Sequence, residues 1–379
     1  MRETAERVAA ERKTFFAANA NGIYPAVGGM DSRSVTGYQN AWLRDNAMVA
    51  NARLEAGDIE AAVACARGLM RFMESQAPRF EAVIARPSLK ETVEARPRVR
   101  FDANSLRELP ESWSHAQNDA LGYVLWFRTR LHNLGYLGLE VSERETVRLL
   151  VRYFEAIRYW EDADSGAWEE GRKVNSSSVG AVLAGLEEAR RAGAEVADSL
   201  TEAGHELLAR HLPLESPGLR GADAAVLFLV YPLELVRDSV TRNMIVHLIQ
   251  ARLEGEIGFR RYIGDSYYCQ DYDRWFPPEL RSVDWSERID VRNEYLQPGC
   301  EAQWCLFDSL LSVIFGRIYG DREQQARYLQ RAIAQRTPEK ECPELYYLKR
   351  ERWTAGPNKP LLWAEANLSL AISEARRSG

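Results

Sequence analysis

The chain has 379 residues, of which 46% are hydrophobic, enough to fill a substantial core unaided. Its net charge of −6 argues against a nucleic-acid-binding protein and a peripheral membrane protein, because both need a basic face. The five cysteines lack zinc-ligand spacing, the N-terminus lacks the apolar core of a secretory signal, and no segment is long enough to span a membrane. These features predict reduced thiols, no metal, no cofactor and a cytoplasmic location, and they leave the oligomeric state unknown.

Apolar residues recur at helical spacing through most of the chain, while alternating runs typical of strands are scarce, so the sequence predicts an all-α protein. Several helix boundaries carry their own signals, namely Asn175 as an N-cap, Gly57-Asp58 between two helices and Gly320-Asp321 between another pair. The helices are predicted near residues 3–19, 40–56, 58–77, 116–134, 142–161, 176–192, 197–211, 221–231, 236–254, 300–319, 321–334 and 361–377.

Short links between consecutive helices imply antiparallel hairpins, and six hairpins in series suggest an (α/α)6 barrel, a six-hairpin toroid. The helix count also fits an irregular bundle or a solenoid, but no repeat of fixed period supports a solenoid. No linker or shift in composition divides the chain, so residues 1–379 are predicted to form a single domain.

Three long connections, about 78–115, 255–299 and 336–360, are predicted to be loops, and loops of this length are usually functional. The first contains a local basic cluster that is interrupted by acidic residues and therefore indicates a solvated loop. The basic residues of this cluster are Arg86, Arg96, Arg98, Arg100 and Arg107.

The segment Trp168-Glu169-Glu170 places paired carboxylates beside an indole, shortly before a predicted helix. Cleavage of a glycosidic bond needs one carboxylic acid that protonates the leaving oxygen, a second carboxylate on the opposite face, and an aromatic surface for stacking. The segment can supply the acid and the aromatic surface. The second carboxylate must come from elsewhere, and Glu344 in the third long connection is the main candidate, with Glu341 close enough to compete.

Other segments combine aromatic and hydrogen-bonding side chains near predicted helix starts. Trp42-Leu43-Arg44-Asp45, with Tyr38 one turn earlier, could grip sugar hydroxyls, although Arg44 and Asp45 could also form an ordinary ion pair. The remaining candidates are Trp113, Gln117 and Asp119 at the end of the first loop, Arg261 at the start of the second, and Trp304 at its end. A capped helix and packing aromatics would explain these last segments equally well.

Taken in order, these segments resemble glycoside hydrolase family 15, the glucoamylases, and resemble even more closely the glucoamylase-like domain of the phosphorylase kinase α and β subunits. The resemblance implies that Glu169 is the general acid and Glu344 the general base. It also implies that Leu345 stands where hydrolases usually have Gln after the base. It implies that Trp42, Arg44 and Asp45, with Tyr38 upstream, bind the glucose at the non-reducing end. The complete set of predicted substrate-binding residues is Tyr38, Trp42, Arg44, Asp45, Trp113, Gln117, Asp119, Trp168, Glu170, Arg261 and Trp304.

The resulting prediction is an exo-acting, inverting α-glucoside hydrolase that releases β-glucose from the non-reducing end of a short α-glucan or disaccharide. Such a mechanism would separate the carboxyl groups of Glu169 and Glu344 by about 6.5–9.5 Å. Two alternatives stay open: a non-catalytic carbohydrate-sensing or regulatory domain of the phosphorylase kinase type, and a helical scaffold with incidental aromatic residues.

Overall fold

The computed structural model describes residues 18–28, 37–276 and 299–377. The chain divides into two compact units. The N-terminal unit consists of Ala18–Ala26 and Gln39–Pro217, and the described part of the C-terminal unit comprises residues 27–28, 37–38, 218–276 and 299–377. The helix predicted near residues 3–19 lies almost wholly outside the described residues, as does much of the second long connection. The prediction of a single domain over residues 1–379 stays a prediction.

The N-terminal unit is built from helices and one short antiparallel ladder between β1 (Ala41–Trp42) and β2 (Arg100–Phe101). Its helices are α1 (Leu43–Glu55), α2 (Ile59–Ser75), α3 (Ala77–Ala85), α4 (Asn118–Asn133), α5 (Val141–Ile157), α6 (Ser176–Arg191) and α7 (Asp198–His211). Helices α4 and α6 are buried along most of their length and pack closely. A Cβ added at Gly122 of α4 would lie 2.6 Å from the backbone of Ala181 in α6. Glycine therefore permits the approach that fixes the start of α4.

The C-terminal unit combines helices with a three-stranded antiparallel sheet in the order β3-β4-β5. Its helices are α8 (Leu227–Val230), α9 (Ser239–Leu253), α10 (Tyr272–Trp275), α11 (Phe307–Val313), α12 (Arg322–Ala334) and α13 (Leu362–Arg377), and its strands are β3 (Gln303–Trp304), β4 (Leu345–Lys349) and β5 (Arg352–Ala355). Helix α11 continues as a π-helical segment, Ile314–Tyr319. Because Trp304 pairs with Leu345, the ladder fixes the backbone beside Glu344.

Two of the predicted helix boundaries are confirmed together with their physical reason. Asp58 accepts a hydrogen bond from the Ala61 N–H at 3.2 Å, and Asp321 accepts one from the Gln324 N–H at 3.0 Å, so each carboxylate caps a helix N-terminus. Asn175 does precede α6, but its side chain makes no cap bond. Its amide instead donates to Asp164.

The predictions for two of the long loops and for one helix were partly wrong. Residues 77–85 form helix α3, whose Phe80 and Val83 are buried, although residues 78–115 were predicted as loop. The third connection contains the β4–β5 hairpin. The helix predicted over 300–319 begins only at Phe307, because the residues before it include strand β3.

The predicted solvated basic loop was also wrong in part. Arg96 is fully buried and its guanidinium lies 2.8 Å from Asp162, while Arg100 is 5% exposed in β2. Burial of a guanidinium requires such partners, and the sequence did not reveal that Asp162 lies beside this segment.

Candidate active site

In the N-terminal unit, Arg44 joins residues that lie far apart in the sequence. It stands in the first turn of α1 and is 4% exposed. Its Nη1 donates to Gln117 Oε1 and to Asp119 Oδ2, both at 3.0 Å, and its Nη2 lies 3.6 Å from Glu169 Oε1. Gln117 Nε2 also donates to Glu169 Oε1, at 3.1 Å. Four predicted site residues, Arg44, Gln117, Asp119 and Glu169, thus form one group, which we call the Arg44 cluster.

The charges of the Arg44 cluster keep its guanidinium protonated. Burial alone would lower the pKa of Arg44, but the carboxylates of Asp119 and Glu169, together with that of Asp45, raise it above its usual value. Arg44 Nε and Asp119 Oδ1 are buried and have no hydrogen-bond partner within the described residues. Buried polar atoms without partners are costly, so these two atoms need an explanation beyond packing.

Glu169 lies in a tight turn of the backbone. Its φ of 62° is in the left-handed region, which is uncommon for a residue other than glycine. Its N–H donates to the Gly166 carbonyl at 3.2 Å, and the Glu170 N–H donates to the Ser165 carbonyl at 3.0 Å. The carboxylate of Glu169 is 19% exposed, so it combines fixed hydrogen bonds with access to solvent. Trp168, beside it, is 8% exposed.

Two predicted tryptophans of this unit share an arginine. The rings of Trp42 and Trp113 meet edge to face at 5.9 Å, and Arg100 Cζ lies 4.1 Å from the Trp113 ring centroid and 5.1 Å from that of Trp42. A guanidinium over an indole is attractive and orients the ring. The Trp113 Nε1–H is buried and has no acceptor in the described part of the chain.

In the C-terminal unit, a second group surrounds Glu344, which is 3% exposed and directly precedes β4. Tyr38 donates its hydroxyl hydrogen to Glu344 Oε1 at 2.7 Å, and Asn358 Nδ2 donates to Oε2 at 2.7 Å. The Tyr267 hydroxyl lies 3.5 Å from Oε2 and 3.3 Å from the Tyr38 hydroxyl. We call these four residues the Glu344 cluster.

The environment of Glu344 suits a base. Burial raises its pKa above the usual carboxyl value, against the opposing effects of Asn358, Tyr38 and Arg261. Burial, with the charge of Glu344 as a further cause, raises the pKa of Tyr38 and Tyr267 well above the usual phenol value, so both remain hydrogen-bond donors. A carboxylate that is more basic than usual and is held by neutral donors can take up a proton.

The competing carboxylate, Glu341, has a different environment. It lies 3.5 Å from Lys359 Nζ, and its side chain is 22% exposed. A partly exposed ion pair of this kind is common on protein surfaces. Glu344 and Glu341 therefore differ both in burial and in the partners of their carboxylates.

Arg261 and Trp304 are also brought together in the C-terminal unit. Arg261 Nε and Nη2 donate to the two carboxylate oxygens of Asp265 at 2.6 and 2.7 Å, and its Cζ lies 4.7 Å from the Trp304 ring centroid. Asp265, Tyr267 and Asn358 were not among the predicted site residues. Asp265 and Tyr267 lie in the segment that Arg261 opens, and the spacing of four residues between Arg261 and Asp265 is a signal for their ion pair.

Solved structures of a glycosidase and of a glucoamylase are similar to this chain. A glycosidase variant solved in complex with glucose is similar to this chain with a TM-score of 0.71 and 21% identity, covering 100% of this chain and 97% of that one. The glucoamylase of Saccharomycopsis fibuligera gives a TM-score of 0.63 at 13% identity, covering 100% and 95%. These likenesses show the fold, and the predicted all-α (α/α)6 barrel is confirmed.

The family follows from the sequence itself. The model described as Glycosyl hydrolases family 15 matches residues 5–346, and the chain belongs to this family. A probable phosphorylase b kinase regulatory subunit alpha of Drosophila melanogaster is 26% identical over 286 residues, which cover 70% of this chain and 22% of that protein. The chain thus spans about a fifth of the length of this relative. Both predicted resemblances are confirmed.

The described residues were also compared with the requirements of a membrane-spanning helix and of a metal site. None of their helices is both long and apolar enough to cross a membrane. Nor do His, Cys, Asp and Glu side chains in residues 18–28, 37–276 and 299–377 form a group of three that could hold a metal ion.

Proposed function

We propose that this protein is an exo-acting, inverting α-glucoside hydrolase that releases β-glucose from the non-reducing end of short α-glucans or disaccharides in the cytoplasm. The observation that carries the proposal is the contrast between two carboxylates. Glu169 is partly exposed and bound to Arg44 and Gln117, whereas Glu344 is buried, which raises its pKa, and its carboxylate accepts hydrogen bonds from neutral donors. Pairs of carboxyl groups with different environments are typical of acid and base assignments.

In the proposed mechanism, Glu169 donates its proton to the glycosidic oxygen and Glu344 removes a proton from the attacking water. The reaction inverts the anomeric centre because water attacks from the face opposite the leaving group. A carboxyl separation of about 6.5–9.5 Å is the requirement of this mechanism, and one near 5 Å would instead indicate a retaining enzyme. The crystal structure of an inhibitor complex would measure it.

The Arg44 cluster would provide much of the sugar recognition. Arg44 Nε, Asp119 Oδ1 and Trp113 Nε1 lack partners within the described ranges and would bind sugar hydroxyls. A site built to hydrogen-bond hydroxyls discriminates strongly against a sugar that leaves its polar atoms unpaired. The other predicted substrate-binding residues would also contact the sugar. They are Tyr38, Trp42, Asp45, Trp168, Glu170, Arg261 and Trp304.

A second function is a non-catalytic regulatory domain that senses carbohydrate. The 26% identity to a phosphorylase b kinase regulatory subunit alpha favours it. The two functions differ in one simple respect, because a sensor needs no acid and no base. Substitution of either carboxylate would therefore leave the function of a sensor largely intact, provided that it binds sugar through other groups.

The test is glucose release from a panel of α-linked disaccharides by the purified protein. Glu169→Gln and Glu344→Gln should each lower the rate by about 10² to 10⁴, the usual effect of losing a general acid or base. Glu341→Gln is the matched control and should retain activity, since Glu341 pairs with Lys359. Undiminished activity in Glu169→Gln would move the acid role to Glu170. Binding of sugar without release from any α-glucoside would favour the regulatory function.

A further inference from the structure

The loop that carries Glu169 is closed at its base by one buried residue, Asp164. The backbone N–H of Asp164 donates to the Lys173 carbonyl at 2.9 Å, and the Lys173 N–H donates to the Asp164 carbonyl at 3.0 Å. Asn175 Nδ2 donates to Asp164 Oδ1 at 2.9 Å, to the Asp164 carbonyl at 3.0 Å and to the Lys173 carbonyl at 3.2 Å. The loop of residues 165–172 therefore leaves and returns at a single fixed point.

The same carboxylate also reaches the start of α4. Asp164 Oδ2 accepts a hydrogen bond from the Asn118 N–H at 2.8 Å, and the neighbouring Ser165 N–H donates to the Ala116 carbonyl at 2.6 Å. Asn118 stands between Gln117, which donates to Glu169, and Asp119, which binds Arg44. One side chain thus connects the base of the Glu169 loop to the segment whose side chains hold the Glu169 carboxylate.

Asp164 makes these contacts without forming an ion pair, although its charge interacts with that of the buried Arg96. It is 1% exposed, and no ion pair joins it within the described residues, whereas the nearby Asp162 binds Arg96 and Lys90. Burial and the charge of Asp119 raise the pKa of Asp164 to about 7. A buried carboxyl without an ion pair costs stability, and departures of this kind from the usual rules concentrate at functional sites.

We propose that Asp164 is a positioning residue for Glu169. By binding both Asn175 and the Asn118 N–H, it fixes the loop of residues 165–172 against the start of α4 and so sets where the Glu169 carboxylate meets Gln117 and Arg44. The proposal rests on the proposed function in one respect, namely that Glu169 acts as the general acid. The placement of the loop can be measured independently of catalysis.

The test uses Asp164→Asn, which preserves shape but replaces one acceptor with a donor. The amide can satisfy either the Asn118 N–H or Asn175, and rotation of Asn175 would give up its bonds to two carbonyl oxygens. Loss of one such bond should speed amide hydrogen exchange at Glu169 and Glu170 by about tenfold. Misplacement of the acid should lower kcat by about 10- to 100-fold, with KM changed less than about threefold.

The matched control is Glu143→Gln, which disturbs a buried carboxylate of the same unit. Glu143 accepts hydrogen bonds from Arg128 Nε at 3.0 Å and from the Glu140 N–H at 2.9 Å, and neither partner contacts the Arg44 cluster. This variant should lower the unfolding midpoint while exchange at Glu169 and kcat stay at wild-type values. If Asp164→Asn does not fold, Asn175→Ala is measured in the same way, because it removes the amide donor and leaves the Asp164–Lys173 backbone bonds.

The outcomes separate the two proposals. Faster exchange at Glu169 with a lower kcat in Asp164→Asn, and neither effect in Glu143→Gln, supports the positioning role. Unchanged exchange, or an unchanged kcat despite faster exchange, overturns it. If the wild-type protein releases no glucose and exchange still rises only in Asp164→Asn, the hydrolase proposal fails while the loop-fixing role of Asp164 stands.

Discussion

Removal of the Tyr38 hydroxyl should shift the pH dependence of the reaction in a defined direction. Tyr38 donates to Glu344 Oε1 at 2.7 Å, a charge-assisted hydrogen bond that stabilises the carboxylate over its protonated form. Such a bond contributes about 1.5–3 kcal/mol, and about 1.4 kcal/mol corresponds to one pKa unit. Tyr38→Phe should therefore raise the pKa of Glu344 further. An effect near the lower end of that energy range is expected because Asn358 still donates to Oε2.

The assay is kcat/KM as a function of pH, since its acidic limb reports the base of the free enzyme. In Tyr38→Phe the acidic limb should move to higher pH, because the carboxylate becomes harder to ionise. Tyr346→Phe is the control: its hydroxyl donates to the Gln335 carbonyl at 2.9 Å, and the limb should not move. An acidic limb that is the same in wild type and Tyr38→Phe would refute either the hydrogen bond or the role of Glu344 as base.

Three other outcomes can be measured with simple variants. Asp119→Asn should lower kcat/KM by about 10- to 100-fold in a disaccharide assay, because the buried Arg44 loses its closest carboxylate; an unchanged value would show that Asp119 is only structural. Burial, aided by the positive charges of Arg98 and Arg79, lowers the pKa of His115 to about 3, so it resists protonation in the folded protein. The free energy of unfolding in urea should therefore fall by about 2 kcal/mol between pH 7 and pH 5, and His115→Gln should lose less over the same range. Asp58→Ala should lower the free energy of unfolding by about 1 kcal/mol through loss of the α2 cap and leave kinetics unchanged, whereas equal stability would contradict the cap.

The features that the sequence predicted well depend on local patterns. Helical periodicity located most of the helices, and the capping carboxylates of Asp58 and Asp321 placed two boundaries, because such signals act within one turn. The β4–β5 hairpin was not predicted, and the reason is also local. Its turn is Arg350-Glu351, with φ values of 47° and 61°, where Asn-Gly or Asp-Gly would be the usual signal.

The side-chain partners could not be predicted, because they depend on contacts between distant segments. Arg44 donates to Gln117 and to Asp119, both at 3.0 Å, and these partners lie 73 and 75 residues away in the sequence. Asn358 follows Glu344 by 14 residues in a segment that was predicted only as loop. Asp164 belongs to no motif, and its importance becomes visible only when the partners of its carboxylate are known.

The measurement that tests the central claim most directly is the anomeric form of the first product. Proton NMR of a fresh reaction with an α-linked disaccharide, recorded before mutarotation, distinguishes the two anomers of glucose. Water activated by Glu344 attacks opposite the leaving group, so β-glucose should appear first. Appearance of α-glucose first would contradict the inverting two-carboxylate mechanism, and absence of any released sugar despite bound ligand would contradict hydrolysis itself.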